Sequence, residues 1–443
     1  MAATVEDRND NLSSGSPPSA DPPSVTPVSS KTTFHSWKDT VVIGPALAAA
    51  TAGIGQFGIT AGLALVAKGF GKPYNGHSIA AVAGLSGTSL GIGLAIIRLA
   101  SLLALPLASM ADKRGRRRVI LTCTTAGLII TALAGVSPSY WFFVVIFAAG
   151  RPLLSATTSI AQVIASEETS SKDRAKAIAM VAAGYAMGAG AIAIFNDVAS
   201  KVIGFRWLFF AALVPLIALP FIARMIREPD RFVNAAPPKI TRNSAIRALS
   251  PQYRARLLII LILSFAVSWL TGPADTFVFL YAESFLHMAV SSVTALILIA
   301  GIVGLAGLLM GRWLADHMGR RVTSMVALMA MTAFGILIYS GTKLGMITGY
   351  EMAIFSGGMF SAPAGTFILE QFPTPIRAAV SGWQVATGVI GAAAGLFVFG
   401  IVAHIGHRFS IAAYLLFPGV AVIALLFLLL QETKGKEPEE LWE

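Results

Sequence analysis

Apolar residues run along this chain in long unbroken stretches, without the alternation of a strand or the stripe of an amphipathic helix, and short polar segments separate them. Helices that are apolar all round are buried or cross a bilayer, and a crossing takes about 20 residues. Six stretches fall near 41–66, 84–110, 118–136, 140–165, 175–197 and 204–225. A polar, arginine-rich segment from Met225 to Arg256 interrupts them. Six more fall near 257–284, 289–314, 322–341, 345–369, 379–404 and 409–430. The pattern predicts an all-α membrane protein with twelve transmembrane helices in two six-helix halves. The halves span 38–225 and 257–430, with a linker at 226–256 and a tail at 431–443. Residues 1–37, rich in Ser, Pro, Thr and Asp, read as a disordered tail. They lack the charged-then-apolar order of a secretory signal.

Composition agrees with this reading. The 443 residues are 55% hydrophobic and 12% charged, with a mean hydropathy of +0.73. Soluble domains carry about 25% charged residues, so most of this surface must face lipid. One cysteine, Cys123, lies in an apolar run, which leaves no disulfide framework and no cysteine metal site.

The net charge of +11 would point a soluble protein toward nucleic acid. Here the basic residues gather in alternate loops, a topology signal, so no nucleic-acid partner is expected. Lys113, Arg114, Arg116, Arg117 and Arg118 share one loop, and Lys172, Arg174 and Lys176 share the next on that side. Arg227, Arg242 and Arg247 in the central segment, then Arg320, Arg321, Arg377, Lys434 and Lys436, continue it. The opposite side holds only Lys68, Lys72, Lys201, Arg206, Lys343 and Arg408. The positive-inside rule then places the linker and both termini in the cytoplasm, with the plasma (inner) membrane as host.

The halves repeat. Asp112 returns as Asp316 and Glu228 as Glu432, both 204 residues on, and the pair Glu167 and Arg174 returns as Glu370 and Arg377, 203 residues on. Two parallel six-helix repeats are an arrangement of many secondary transporters.

The loop Ala108-Ser109-Met110-Ala111-Asp112-Lys113-Arg114-Gly115-Arg116-Arg117 resembles the signature Gly-x-Leu-x-Asp-Arg-x-Gly-Arg-Arg of the major facilitator superfamily. The second copy keeps Leu314, Asp316, Gly319, Arg320 and Arg321, with Arg312 in place of the leading glycine. The resemblance implies a cytoplasmic gate. Gly115 permits a tight turn. Asp112 would meet the N-terminal end of the eleventh helix, near Ala378, where the helix dipole favours an anion. Arg116 can pair with Glu167 or Glu168. Such contacts would hold the face shut and break when the halves rock. Positive-inside anchoring alone accounts for Lys113 and Arg118.

Three further segments resemble the sugar-porter branch: 227–232, 370–378 and 432–435. Their acid–base spacing implies a salt-bridge network that adds Glu228, Glu370, Arg377 and Glu432 to the gate. That branch's Gln-Gln pair in the seventh helix is missing, since the stretch reads Ser268-Trp269-Leu270-Thr271-Gly272-Pro273-Ala274-Asp275. This weighs against a hexose. Gly184-x-x-x-Gly188 followed by Ala189 lacks the Pro of the drug-antiporter motif, which weighs against a multidrug exporter. Gly87/Gly91, Gly184/Gly188, Gly307/Gly311 and Gly391/Gly395 are GxxxG pairs in helices that the family uses where the halves meet.

Charges inside spans are costly and mark function by default. Arg98 and Arg151 lie deep in the second and fourth spans and together would make a positive pocket for an anion. The competing reading of each is an ion pair or carbonyl clamp between helices. Arg151 also matches the arginine of a span-4 motif of proton antiporters, with Leu154 and Ser155 in place of its Gln-Gly. Asp275, Glu283 and Glu351 are the candidates for carrying a proton. Asp275 is best placed, beside the Gly272-Pro273 break. Glu283 reads as interfacial. Gln56 is the one strongly polar mid-span group of the first helix, as a substrate contact or an interhelical hydrogen bond.

No phosphate-binding loop and no metal constellation stand out, so neither catalytic residues nor a cofactor is expected and a proton gradient is the expected driving force. The sequence therefore reads as a secondary active transporter, moving a small organic anion or metabolite by proton-coupled symport and functional as a monomer. A proton-driven multidrug antiporter is the alternative. A non-transporting membrane sensor is the alternative of another class, and two copies of the gate motif weigh against it.

Overall fold

The computed structural model describes residues 36, 38–76, 78–170, 173–202, 204–228 and 251–434. The expectations for the N-terminal tail, for linker residues 229–250, for Lys172 and for 435–443 lie outside the described residues.

Twelve long helices run through the described residues. They are α1 (Thr40–Ala61), α2 (Gly87–Arg114), α3 (Arg116–Val136), α4 (Tyr140–Glu168), α5 (Arg174–Val202) and α6 (Phe205–Met225). The second set is α7 (Pro251–Ser284), α8 (Val290–Met318), α9 (Arg320–Ile338), α10 (Lys343–Glu370), α11 (Thr374–Ile405) and α12 (Phe409–Leu429). No strand occurs among the described residues. Eleven of the helices combine the length and hydropathy of a membrane span. The other, α10, has 28 residues, and Gly, Ser, Thr and Glu351 dilute its hydropathy.

Two boundaries depart from the sequence reading. The first apolar run is two helices, because α1 stops at Ala61 and a short helix, Leu63–Phe70, follows Gly62. At this break the buried Asn196 of α5 donates to the Ala61 carbonyl over 3.2 Å. In the other case α7 begins at Pro251, inside the segment assigned to the linker. Proline is tolerated in a first turn, and long basic side chains keep their charge in water while their stems cover apolar surface. The Arg256 guanidinium lies over the Tyr253 ring, 5.7 Å from its centroid.

The repeat extends to atomic detail. Gly115 and Gly319 adopt φ of 94° and 91°, open to glycine at little cost. Each starts a helix whose first amides need acceptors. Glu228, beyond α6, accepts from the Arg116 and Arg117 amides at 2.5 and 3.0 Å. Glu432, beyond α12, accepts from Arg320 and Arg321, both at 3.0 Å. In return Arg117 donates to the Ile226 and Ala223 carbonyls, and Arg321 to those of Leu430 and Leu428. In each half the third helix is thus clamped to the end of the sixth.

Only one of the four GxxxG pairs joins the halves as the sequence reading expected. Gly184 and Gly188 press on the Ala46 and Ala50 carbonyls of α1, Gly307 and Gly311 on Phe355 and Met359 of α10, and Gly391 and Gly395 on Phe265 and Trp269 of α7. All three contacts lie within a half. A helix has several small-residue neighbours, and spacing alone does not say which one it meets. The α2 pair does cross: a Cβ at Gly91 would stand 2.7 Å from the Leu396 carbonyl of α11.

Candidate functional site

A cavity of about 250 Å³ lies between the halves. Gln56 of α1, Arg98 of α2, Arg151 of α4 and Tyr185 of α5 line it from the first half, and Thr271 and Asp275 of α7 from the second. Four of the five candidate substrate and coupling residues therefore share one space.

Local structure sets each of them. Arg98 precedes a tightened turn at Ser101–Leu103. Pro106 cannot donate to the Leu102 carbonyl, which favours such a distortion. Arg151 donates to the Gln56 carbonyl at 3.0 Å, so one of its donors serves as an interhelical clamp. Gln56 itself is 4% exposed, and Ser155 donates to its side-chain oxygen at 3.5 Å. In α7 Pro273 lacks an N–H, which leaves the Trp269 carbonyl without its usual helical partner. The buried Tyr339 hydroxyl donates to the Pro273 carbonyl at 3.0 Å and braces this stretch. Two residues along, Asp275 is exposed to the cavity. Arg98 attracts it across the gap between halves, and the two arginines repel one another.

Glu351, in α10, is 9% exposed and is not among the residues lining this cavity. Both its carboxylate oxygens lack a hydrogen-bond partner among the described residues. Glu283 is half-buried at the end of α7, away from the cavity lining.

The cavity continues toward the basic face. A second space of about 480 Å³ shares Gln56, Arg98, Arg151 and Tyr185 with the first and reaches Ala108 and Gln162. A third, of about 450 Å³, lies along α7, α10 and α11 and again includes Arg98. On the far side the halves are in contact. Phe57 meets Phe279 edge-on at 6.2 Å, the Thr294 hydroxyl donates to the Ala193 carbonyl at 3.1 Å, and the Gly91 seam joins α2 to α11. One pathway thus runs from Asp275 to the basic face.

The far-side seam makes a testable case. A side chain larger than hydrogen at Gly91 must part α2 from α11. Gly91→Val is expected to admit a membrane-impermeant maleimide from the far side to a cysteine placed at Thr60, with several-fold faster labelling than in the parent. The native Cys123 is buried and adds little background. An unchanged labelling rate would mean that the seam does not close this side.

The gate candidates sit at the basic face, with the expected pairing of Arg116 and Glu167 among their contacts. Arg116 pairs with Glu167 and, at 3.2 Å, with Asp112. Arg320 pairs with Glu370. Arg174 donates to the Ser166 carbonyl at 3.1 Å and Arg377 to that of Phe372 at 2.9 Å. Every one of these contacts is internal to a half, so none of them holds the two halves together. Loops 2–3 and 4–5 of one half are neighbours within the same bundle, which is why their charges meet. The Asp112 side chain is 63% exposed, and Asp316 is exposed too.

Tyr185 and Thr271 were not singled out in the sequence. A signal existed, because Tyr185 is a polar aromatic between the two glycines that press α5 onto α1. Its direction toward the cavity follows only from that packing.

The "Probable 4-methylmuconolactone transporter" of Cupriavidus pinatubonensis is 25% identical over 75% of this chain and 79% of its own length. The "Cis,cis-muconate transport protein" of Acinetobacter baylyi is 25% identical over 74% of this chain and 81% of its own. Among solved structures, the inward-open xylose transporter XylE from E. coli shares the fold. Its TM-score is 0.71 at 15% identity, over 91% of this chain and 98% of that one. The sequence profile of the Major Facilitator Superfamily matches residues 45–395. With twelve helices in two repeated halves around a central cavity, the chain belongs to the Major Facilitator Superfamily, as a multi-pass membrane transporter of small solutes and not an enzyme.

Proposed function

We propose that this carrier moves a small organic anion together with protons across the plasma membrane by alternating access, as a monomer without a cofactor or nucleic-acid partner. The observation that supports this reading is the convergence of Arg98 and Arg151 on one cavity that Asp275 enters from the other half. Two guanidinium groups that converge on one space favour a carboxylate. A facing carboxylate supplies a place for a proton. The relatives' names, one a muconate and one a muconolactone transporter, agree with an organic solute of this kind.

By the positive-inside rule the basic face is cytoplasmic, so the pathway described above opens inward. Closing that face would bring Asp112 to the α11 N-terminus, where the helix dipole stabilises an anion. The paired residues Gly115, Arg116, Glu167, Arg174 and Glu228, with Gly319, Arg320, Glu370, Arg377 and Glu432, then act as the rigid frame that presents Asp112 and Asp316. Glu351 stands as the second candidate for proton coupling.

Transport by the purified protein in proteoliposomes tests the reading. With labelled 4-methylmuconolactone outside and an acid exterior, uptake above equilibrium that a protonophore collapses is the expected result. Solute leaving the vesicle against its gradient as protons enter would overturn symport in favour of antiport.

A further inference from the structure

The third cavity has a chemistry different from the central one, and that difference bears on the substrate. Arg98 stands in both, and it is the one ionisable group lining the third. Beyond it the lining turns to neutral polar groups: Ser264 and Ser268, one turn apart on α7, Ser361 on α10 and Gln384 on α11. The Ser264 and Ser268 hydroxyls and the Gln384 amide make no hydrogen bond among the described residues, although all three reach the same space. Ser361 donates to the Gly358 carbonyl at 2.9 Å and keeps its lone pairs free. Backbone shape preserves this arrangement. A Cβ at Gly388 would stand 3.0 Å from the Ser268 hydroxyl oxygen and crowd it.

We propose that this cavity is a subsite for the uncharged polar end of a carboxylate substrate, making the carrier selective for monoanions that bear a hydroxyl or carbonyl oxygen remote from the carboxylate. The inference rests on the anion reading given above and adds the nature of the other end. With the carboxylate on Arg98 and Arg151, a chain of several carbons extends toward α7 and α11. A second carboxylate there would be desolvated with no cation to meet it. An alkyl end would leave three polar groups without partners. A hydroxyl or carbonyl satisfies them, since serine and glutamine side chains both donate and accept.

Three six-carbon acids that differ only at the far end separate the cases: hexanoate, adipate and 6-hydroxyhexanoate. Binding to the purified full-length carrier is measured by titration. The expected order has 6-hydroxyhexanoate about tenfold tighter than either of the others, the size of one well-made hydrogen bond. Gln384→Ala is expected to bring 6-hydroxyhexanoate down to the level of hexanoate and leave hexanoate unchanged. The double variant Ser264→Ala with Ser268→Ala repeats the test on a second element, should the first variant fold poorly.

Adipate binding tightest, all three binding alike, or none binding would each overturn the subsite. So would an equal loss for all three acids in Gln384→Ala. Failure of the underlying anion reading looks different: Arg98→Gln would then leave the affinities of all three unchanged.

Discussion

Replacing Asp275 by Asn is expected to abolish accumulation driven by a proton gradient while leaving exchange of labelled for unlabelled solute measurable. Asp275 is the one carboxylate lining the central cavity among the described residues, and it faces Arg98 from the opposite half. When ionised it competes with an anionic solute for the same guanidinium groups. When protonated it releases them, and the positive charge of the cavity rises by one. Solute binding and proton binding therefore assist one another, a linkage that works in both directions. A unit charge at close range with an effective dielectric near 20 is worth about 4 kcal/mol, and water in the cavity reduces this to about 1 to 2 kcal/mol, roughly tenfold in affinity. Asparagine has the same shape and cannot carry the proton, so the affinity should lose its pH dependence. Uptake with an acid exterior, set beside counterflow at symmetric pH, reads both parts. Undiminished gradient-driven uptake would shift the role to Glu351, and Glu351→Gln in the same assay is the comparison.

The second large effect is expected at Arg98. Arg98→Gln should weaken binding of a carboxylate substrate by roughly 10- to 100-fold, the value of a charge-assisted hydrogen bond of about 1.5 to 3 kcal/mol. Arg98→Lys keeps the charge but loses the planar fork and should fall between. Arg151→Gln should cost less affinity, because one Arg151 donor is already engaged by the Gln56 carbonyl. It should cost more stability, because that interhelical bond is lost. Affinity from titration and melting temperature from the same preparations separate the two arginines. Equal affinity losses with unchanged melting would show that both serve the solute alike.

Much of this molecule was legible before any coordinate. Uninterrupted apolar runs can satisfy their backbone groups in lipid only as helices, so span number and fold class follow from length and hydropathy. The repeat was readable because charges are scarce in such a chain, and Asp112 and Asp316, or Glu228 and Glu432, have few rivals. Depth was readable as well. Arg98, Arg151, Gln56 and Asp275 each stood out as polar groups that lipid would not tolerate, and tolerance within protein requires a shared polar space.

Direction and partner were decided elsewhere. A helix offers the same residue spacing to every neighbour, so three GxxxG pairs could not reveal that they pack within a half. The Arg116–Glu167 pair was readable from the signature loops, but not that it would leave the two halves unjoined. Which carbonyl Arg151 would clamp could not be known, because backbone acceptors carry no mark in a sequence. Serines cost little in a membrane helix and nothing in the sequence pairs them with Gln384, so Ser264, Ser268 and Gln384 became visible as a group only when the packing of α7 against α11 turned them into one cavity. Local sequence determined what each segment must bury. The packing of the twelve helices decided which buried groups face one another, and the selectivity of the carrier rests on that choice.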